Sequence, residues 1–438
     1  MPRPHLARRQ PNVLSRLAPV ALLAALASGT SAQFQGWIVD DDGGPGVDFT
    51  DLQSAIDAAA DGDLILVDNG TYGAFDIDGK SLTIVPEIGA FVLISAGGSS
   101  IRNLAPGQSV QLRGLNIVVP KTEFTQLDAV RAENCQGLIW IEESLLEGGV
   151  CFPFFCSTDA AALRLTDCDN TIVQRCTLRG GETVEGGTVG GNALSLVRST
   201  AAVHETLVVG GQGLPQFPSA TPTKGSAGGT ALTLDDSFVY AAATSFEGGK
   251  GADGAPIIGT PCGDGADGGY AVYSTSGTST YVLLESVLFA GLPGLADAPC
   301  ANGLPGAVID PSGAVPNEQL LPGFARLLQI NAPAEPGDLL LAVGAGQAGD
   351  SMFLFVTIAP QFQISLSLSG VQYVPSETLF LPMGIAGPSG VVFYTFAAPG
   401  LPPGFDFVDL YTQLVWIEPD ATAGLGAPSL LTVKRSFF

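Results

Sequence analysis

The sequence predicts an all-β protein: a right-handed parallel β-helix with an N-terminal capping helix, followed by a small β-sandwich. Three observations carry that prediction. A unit of about 20 residues recurs five times between residues 129 and 291, one amphipathic helix precedes the repeats, and longer apolar strands without paired glycines follow them. The chain has 438 residues, too many for one ordinary core, and 14% are charged against about 25% in a typical domain. Such a composition packs rather than disorders, and its 57 Gly and 31 Pro belong in turns and loops.

The first 32 residues read as a signal peptide. Arg3, Arg8, Arg9 and Arg16 precede an apolar stretch over 17–26, and small residues follow to Ala32. That stretch is about half of what a bilayer crossing needs, and no later segment reaches spanning length free of Gly, Pro or charge. The expectation is a secreted product, extracellular or at the cell surface, with no transmembrane segment once the signal is cleaved. The formal charge is −24, and removing four Arg and no acid with the signal leaves −28. A field of that sign repels nucleic acid and polyuronates and attracts Ca²⁺ and cationic surfaces.

The β-helix is assigned to 33–306. It opens on the strand Trp37-Ile38-Val39, an acidic turn at Asp40, Asp41 and Asp42, and DFTDLQSAIDAAADGD (48–63), where Phe49, Leu52, Ile56 and Ala59 recur at helical spacing. LILV (64–67), the turn NGTYG (69–73) and SLTIVPE (81–87) continue as strand, turn and strand. The repeats are AVRAENCQGLIWIEESLLEGG (129–149), ALRLTDCDNTIVQRCTLRGG (162–181), ALSLVRSTAAVHETLVVGG (193–211), ALTLDDSFVYAAATSFEGG (231–249) and AVYSTSGTSTYVLLESVLFAG (271–291). Short strands joined by tight turns cannot build a doubly wound sheet, which needs helical crossovers. Wound as coils, they stack about 4.8 Å apart with matched apolar positions inside. The helix then covers the open end of the stack.

Insertions at 182–192, 214–230, 250–270 and 292–307 all enter just after the Gly that closes a repeat, so they cluster on one edge, where solenoids carry partners. A Pro-containing linker, 307–323, leads to seven apolar strands over 324–438, the predicted sandwich. Stacking places Asn134, Asp167, Arg198 and Asp236 in one column and Cys135, Cys168, Ser199 and Ser237 in the next. Arg198 can then bridge Asp167 and Asp236, and Cys135 can pair with Cys168. Cys151 with Cys156, and Cys262 with Cys300, are the other expected disulfides, leaving Cys176 over.

The segment DFTDLQSAIDAAADGDLILVDNGTY (48–72) resembles the opening segment of pectin-lyase-like right-handed β-helix proteins, and the repeats resemble that superfamily's coil over about 35–306. The tail, with Tyr411-Thr412-Gln413, Asp420 and 430–433, resembles a C-terminal sandwich of secreted bacterial multidomain proteins. The resemblance implies a fold and leaves chemistry open, since lyases, hydrolases, esterases and adhesins share it. Polygalacturonase-type hydrolysis implies clustered Asp, a His and an R-x-K motif. This chain has Asp235-Asp236 and His204, in V-H-E, but no R-x-K. Ile139-Trp140-Ile141-Glu142 resembles the W-I-D-H segment of pectate lyases with Glu for Asp and Glu143 for His, and the R-x-P-x-x-R motif is missing. The candidate catalytic residues are therefore Asp167, Arg198 as base, Asp236 and His204. The sequence 248–253 matches the G-G-x-G-x-D of calcium-binding β-rolls once. Asp253, Asp264, Asp267, Asp40, Asp41 and Asp42 are accordingly the oxygen donors for a Ca²⁺ cofactor.

Scarcity of His, Lys and Arg favours a non-catalytic β-helix that presents Gly-rich loops to a polysaccharide, cell-surface component or matrix. The alternative is a divergent polysaccharide lyase or glycoside hydrolase acting on an acidic polysaccharide.

Overall fold

The computed structural model describes residues 35–95, 98–121, 127–150, 160–183, 189–215, 225–254, 262–297, 299–375 and 379–436. The expected signal peptide and the expected Cys151–Cys156 pair lie outside the described residues. No described helix is long and apolar enough to cross a membrane.

The repeats stack as parallel coils. In each repeat a first strand, a turn, a second strand, another turn and a third short strand follow in order, the first turn widening to 275–279 in the repeat at 271–291, and each strand pairs in parallel with its equivalent in the next repeat. Thus Val130–Glu142 pairs with Leu163–Gln174, whose two halves pair with Leu194–Val197 and Thr200–His204. The second strands form a ladder of ten, from Gly36–Val39 to Asn317–Leu321, and the third strands a ladder of eight. That last strand falls inside the stretch expected to be a linker: 307–323 extends the coil, because Asn317–Leu321 finds an open edge at Thr280–Leu284.

Both turns centre on one residue in the left-handed region, except the first turn of the repeat at 271–291. Asn134, Asp167, Arg198 and Asp236 adopt φ of 54°, 54°, 46° and 46°, and Glu143, Arg175, Glu205, Ala243 and Glu285 adopt 52°, 49°, 49°, 50° and 49°. After each bend an inward hydroxyl bonds its own strand and the coil below. Ser199 Oγ donates to the Val197 carbonyl (2.8 Å) and accepts from the Cys168 amide (3.0 Å), and Ser237 Oγ repeats this with Asp235 and Ser199. Cys135 and Cys168 occupy that column in register, yet their thiols are not bonded to each other. This corrects the expected pairing. Each thiol donates to the carbonyl two residues back, at Glu133 (3.3 Å) and Thr166 (3.4 Å), as the serines do, and the stacking distance exceeds the Cβ separation a disulfide prefers. Cys262 and Cys300 are joined as expected.

The helix Leu52–Ala58 is capped by Asp51, whose carboxylate accepts from the Ser54 amide (2.8 Å). Its Leu52, Ala55 and Ile56 belong to the same buried cluster as the coil interior.

The expected loop insertions are ordered over their described parts. Amides of Gly248, Gly251 and Gly254 donate to Phe289, Leu292 and Leu295 in the next coil (2.9, 2.9 and 2.7 Å), while Gly249 and Ala252 donate to Gly229 and Ser226 (2.8 and 2.9 Å). Gly265 and Gly268 likewise reach Ala301 and Leu304, and Ala266 and Gly269 reach Ala252 and Gly249. Bonds that recur every third residue and alternate between two neighbours define extended runs with three residues per turn, the polyproline II geometry, which has no internal bonds of its own. Each coil sends one run out and one back, and the runs pack as a second, glycine-rich stack beside the third sheet.

Beyond the coil, two antiparallel sheets enclose one apolar cluster. One consists of Leu327–Ile330, Leu339–Ala345 and Val391–Ala397; the other of Leu379–Ile385, Ser351–Thr357, Phe407–Ile417 and Ala423–Lys434. The second of these sheets lies across the outward face of the coil's second ladder. Trp140, Ile172, Ala202, Tyr240 and Val282, one outward column, are buried with Tyr373, Tyr411 and Leu430. The neighbouring outward column, Arg113, Glu142, Gln174 and His204, is polar and almost wholly bonded. Arg113 donates to the Leu430 carbonyl (2.9 Å), Gln174 to that of Pro428 (2.6 Å), and Glu142 pairs with Arg175 and accepts from the Leu430 amide (3.3 Å).

Candidate functional site

The sequence-predicted catalytic residues do not converge. Asp167 and Arg198 form a two-pronged ion pair (2.6 and 2.7 Å) on the exposed turn column, which holds the Asp167 carboxyl below its ordinary range. Asp236 accepts instead from Thr278 Oγ1 (2.7 Å), so Arg198 bridges one carboxylate rather than two. His204 lies on a different face, buried under the C-terminal sheets, with its ring nitrogen 2.6 Å from the Tyr373 hydroxyl. Burial first, then the Arg175 charge, pushes its pKa down to about 3, so the ring is neutral.

The calcium candidates do not converge either. Asp253 pairs with Lys250 (2.8 Å) and accepts from the Leu295 amide (2.9 Å); Asp264 and Asp267 accept from the amides of Ala301 and Leu304 (2.9 and 2.7 Å). These carboxylates cap adjacent glycine runs. Asp40 accepts from the Asp42 amide and Asp41 from that of Thr71. Among the described residues no group of three or more His, Cys, Asp or Glu side chains is placed to hold a metal ion.

A cleft of about 740 Å³ lies between the early coils and the C-terminal unit. The coil supplies Gln108, Gln111, Gln136 and Asn170; the C-terminal unit supplies Gln361, Phe362, Phe405 and Tyr411. The turns that lead into successive second strands bring Gln108, Gln136 and Asn170 together, because neighbouring coils stack in register. Gln108 is fixed by donating to Asp61 (2.9 Å) and the Gly79 carbonyl (2.7 Å), and Asn170 by donating to the Gln136 carbonyl (2.8 Å). Gln111, itself buried, donates to the Tyr411 hydroxyl and so ties the coil to the C-terminal unit at the back of the cleft.

Two carboxylates line the cleft and both are engaged. Asp61 accepts from the Ser81 amide (2.7 Å) and from Gln108; Asp409 accepts from Thr83 and Thr432 hydroxyls (2.6 Å each). Burial raises the Asp409 carboxyl against those bonds, and burial keeps the Tyr411 phenol protonated well above neutral pH. The wall therefore offers neutral donors, neutral acceptors and ring faces, the set that matches hydroxyl-rich, uncharged surfaces. None of these residues stood out in the sequence. Gln136 and Gln361 have no motif, and Tyr411 was singled out only as part of the tail.

No protein-family model matches the chain, and no curated protein does. Among solved structures it is similar to the enzymatically active domain of tailspike protein 2 from bacteriophage CBA120 (8% identity, TM-score 0.23, 88% of this chain and 74% of that one). It is also similar to pectate lyase Pel9A (12% identity, TM-score 0.21, 63% of this chain and 80% of that one). Likeness at this level carries no chemistry across. The parallel β-helix reading rests on the strand register of this chain itself.

Proposed function

We propose that the chain is a secreted, non-catalytic β-helix protein whose C-terminal sandwich shapes, with the coil, a cleft that binds an uncharged polysaccharide. The observation that carries this reading is the lining of the cleft by side-chain amides and aromatic rings, with both lining carboxylates already engaged. The side-chain amides of Gln136 and Gln361 supply donors and acceptors for sugar hydroxyls, Gln108 and Asn170 hold the wall in place through their own bonds, and Phe362 and Phe405 supply apolar faces for the ring carbons. The net charge of −24 disfavours a polyuronate ligand.

Calorimetric titration with neutral and uronate oligosaccharides tests it. Neutral oligosaccharides should bind, and Gln136→Ala and Gln361→Ala, which remove single amides from exposed or half-exposed positions, should each weaken binding about 3- to 10-fold. Unsaturated ends released from a uronate polymer, and abolished by Arg198→Ala or Asp236→Ala, would establish the lyase alternative instead.

A further inference from the structure

The cleft has a direction. Its coil wall is built from the residues that lie before or at the start of five consecutive strands of the second ladder: 61–62, 81–83, 106–109 with 111, 136–138 and 170. Consecutive coils stand about 4.8 Å apart, so the four spacings between five coils make a straight row parallel to the coil axis and about 19 Å long. Opposite it the strand Phe407–Ile417 runs the same way. Phe407 packs with Leu64, Leu66 and Val85 of the first two of these coils, and Asp409 accepts from Thr83 of the second (2.6 Å). Tyr411 then meets Gln111 of the third and Trp140 of the fourth, with ring centroids 5.7 Å apart in the latter pair. The two phenylalanines that line the cleft from this side and carry its apolar faces are thereby set towards opposite ends. Phe405 stands two residues ahead of Phe407, and Phe362 packs on Tyr373 (6.0 Å), itself beside Trp140 (6.1 Å).

We infer, resting on the assignment of this cleft to an uncharged polysaccharide, that its ligand is an unbranched chain of 1,4-linked pyranoses with both linkage bonds equatorial, lying along the coil axis. Equatorial bonds at both ends of each sugar extend the chain into a straight ribbon, and its advance per sugar is close to one coil spacing. Hydroxyls on one edge of such a ribbon pass the coil wall in step with the coils, where the exposed Gln136 amide stands, and Gln361 serves them from the other side. The faces of the ribbon carry ring C–H groups, which suit Phe362 and Phe405. An axial linkage instead bends the chain into a helix, and successive sugars leave a straight row after one or two residues. Four coil spacings hold about four sugars.

Calorimetric titration of the full chain tests this, with β-1,4-linked glucose, mannose and N-acetylglucosamine oligosaccharides of two to six residues beside α-1,4-linked glucose oligosaccharides of the same lengths. In at least one β-1,4 series affinity should rise about 10-fold or more from dimer to tetramer and level off by the pentamer, with the α-1,4 series about 10-fold weaker at equal length. Phe362→Ala and Phe405→Ala should each weaken tetramer binding about 3- to 10-fold, because a chain along the axis reaches both rings and a chain across the cleft reaches one. Where either variant melts below the wild type, the wild-type length series decides. Affinity already complete at the dimer, an α-1,4 series that binds as well as the β-1,4 ones, or a loss confined to one phenylalanine at unchanged melting temperature would each overturn the inference while leaving the cleft a sugar site. Failure of every neutral oligosaccharide to bind would remove the sugar site itself, and the inference with it.

Discussion

A single residue in the left-handed region lies at the centre of nearly every turn of the repeats, and most of these residues are not glycine. Asn and Asp tolerate that region best, and Asn134, Asp167 and Asp236 fit the rule; Ala243, with neither a polar side chain nor a missing Cβ, does not. Ala243→Gly should therefore stabilise the fold by about 0.5–1 kcal/mol in equilibrium denaturation, the reverse of the usual cost of glycine. Titration at the neighbouring column has two opposite signs. His204 is neutral when folded, with a pKa of about 3 against an ordinary 6.5, so its contribution to stability is whole above pH 6.5 and drains as the pH falls. Burial lifts the Glu205 carboxyl from 4.5 to about 7, so its contribution is whole below pH 4.5 and drains as the pH rises through 7. Glu205→Gln should flatten the fall in melting temperature between pH 5 and 8 and leave the value at pH 4.5 unchanged. An unaltered slope would place the Glu205 carboxyl in water. At this scale the sequence was partly legible: the repeat alignment placed Asp167 beside Arg198. It could not tell a thiol that completes a hydroxyl column from one that pairs, because both readings need the same stacking.

At the scale of elements, the repeats carried their own register, since equal spacing of apolar residues leaves few other ways to bury them. The glycine runs were half legible. Glycines at 248, 251 and 254, and at 265 and 268, are spaced by three, but they read as insertions because polyproline II runs have no side-chain periodicity to announce them. Their packing demands glycine: a Cβ on Gly211 would lie 1.9 Å from the Gly181 carbonyl oxygen, and one on Gly249 would lie 2.0 Å from that of Gly211. Gly249→Ala should cost on the order of 1–3 kcal/mol or more, whereas Gly400→Ala, where a Cβ meets nothing within 4 Å, should fall within about 0.5 kcal/mol of wild type. Chemical denaturation of the two variants side by side separates close packing from a general intolerance of substitution.

At the scale of the molecule, the C-terminal sheets cover the face that an isolated β-helix would leave as a groove, and this was the least legible feature. Strands apolar on both faces, such as Leu138 to Ile141, are the trace it leaves in sequence, and they state that something covers the coil without saying what. Glu142 is fully buried between Arg175, the Trp140 ring N–H, the Ser429 hydroxyl and the Leu430 amide, so Glu142→Ala takes the acceptor from several buried donors and should cost about 3–5 kcal/mol. With the two units welded in this way, calorimetry should show one unfolding transition for the wild type and a broadened or split one for Glu142→Ala.

The strand Ala423–Lys434 touches side chains from coils far apart in the chain, from Glu87 and Arg113 to Glu142 and Gln174. A slip of one residue in any of those coils would turn the matching side chain inward and leave a gap under the strand. Because its contacts span several windings, the strand docks fully only if each of them is in step. The tail thus works as a gauge, closing over a correctly wound stack and failing to seat on a miswound one.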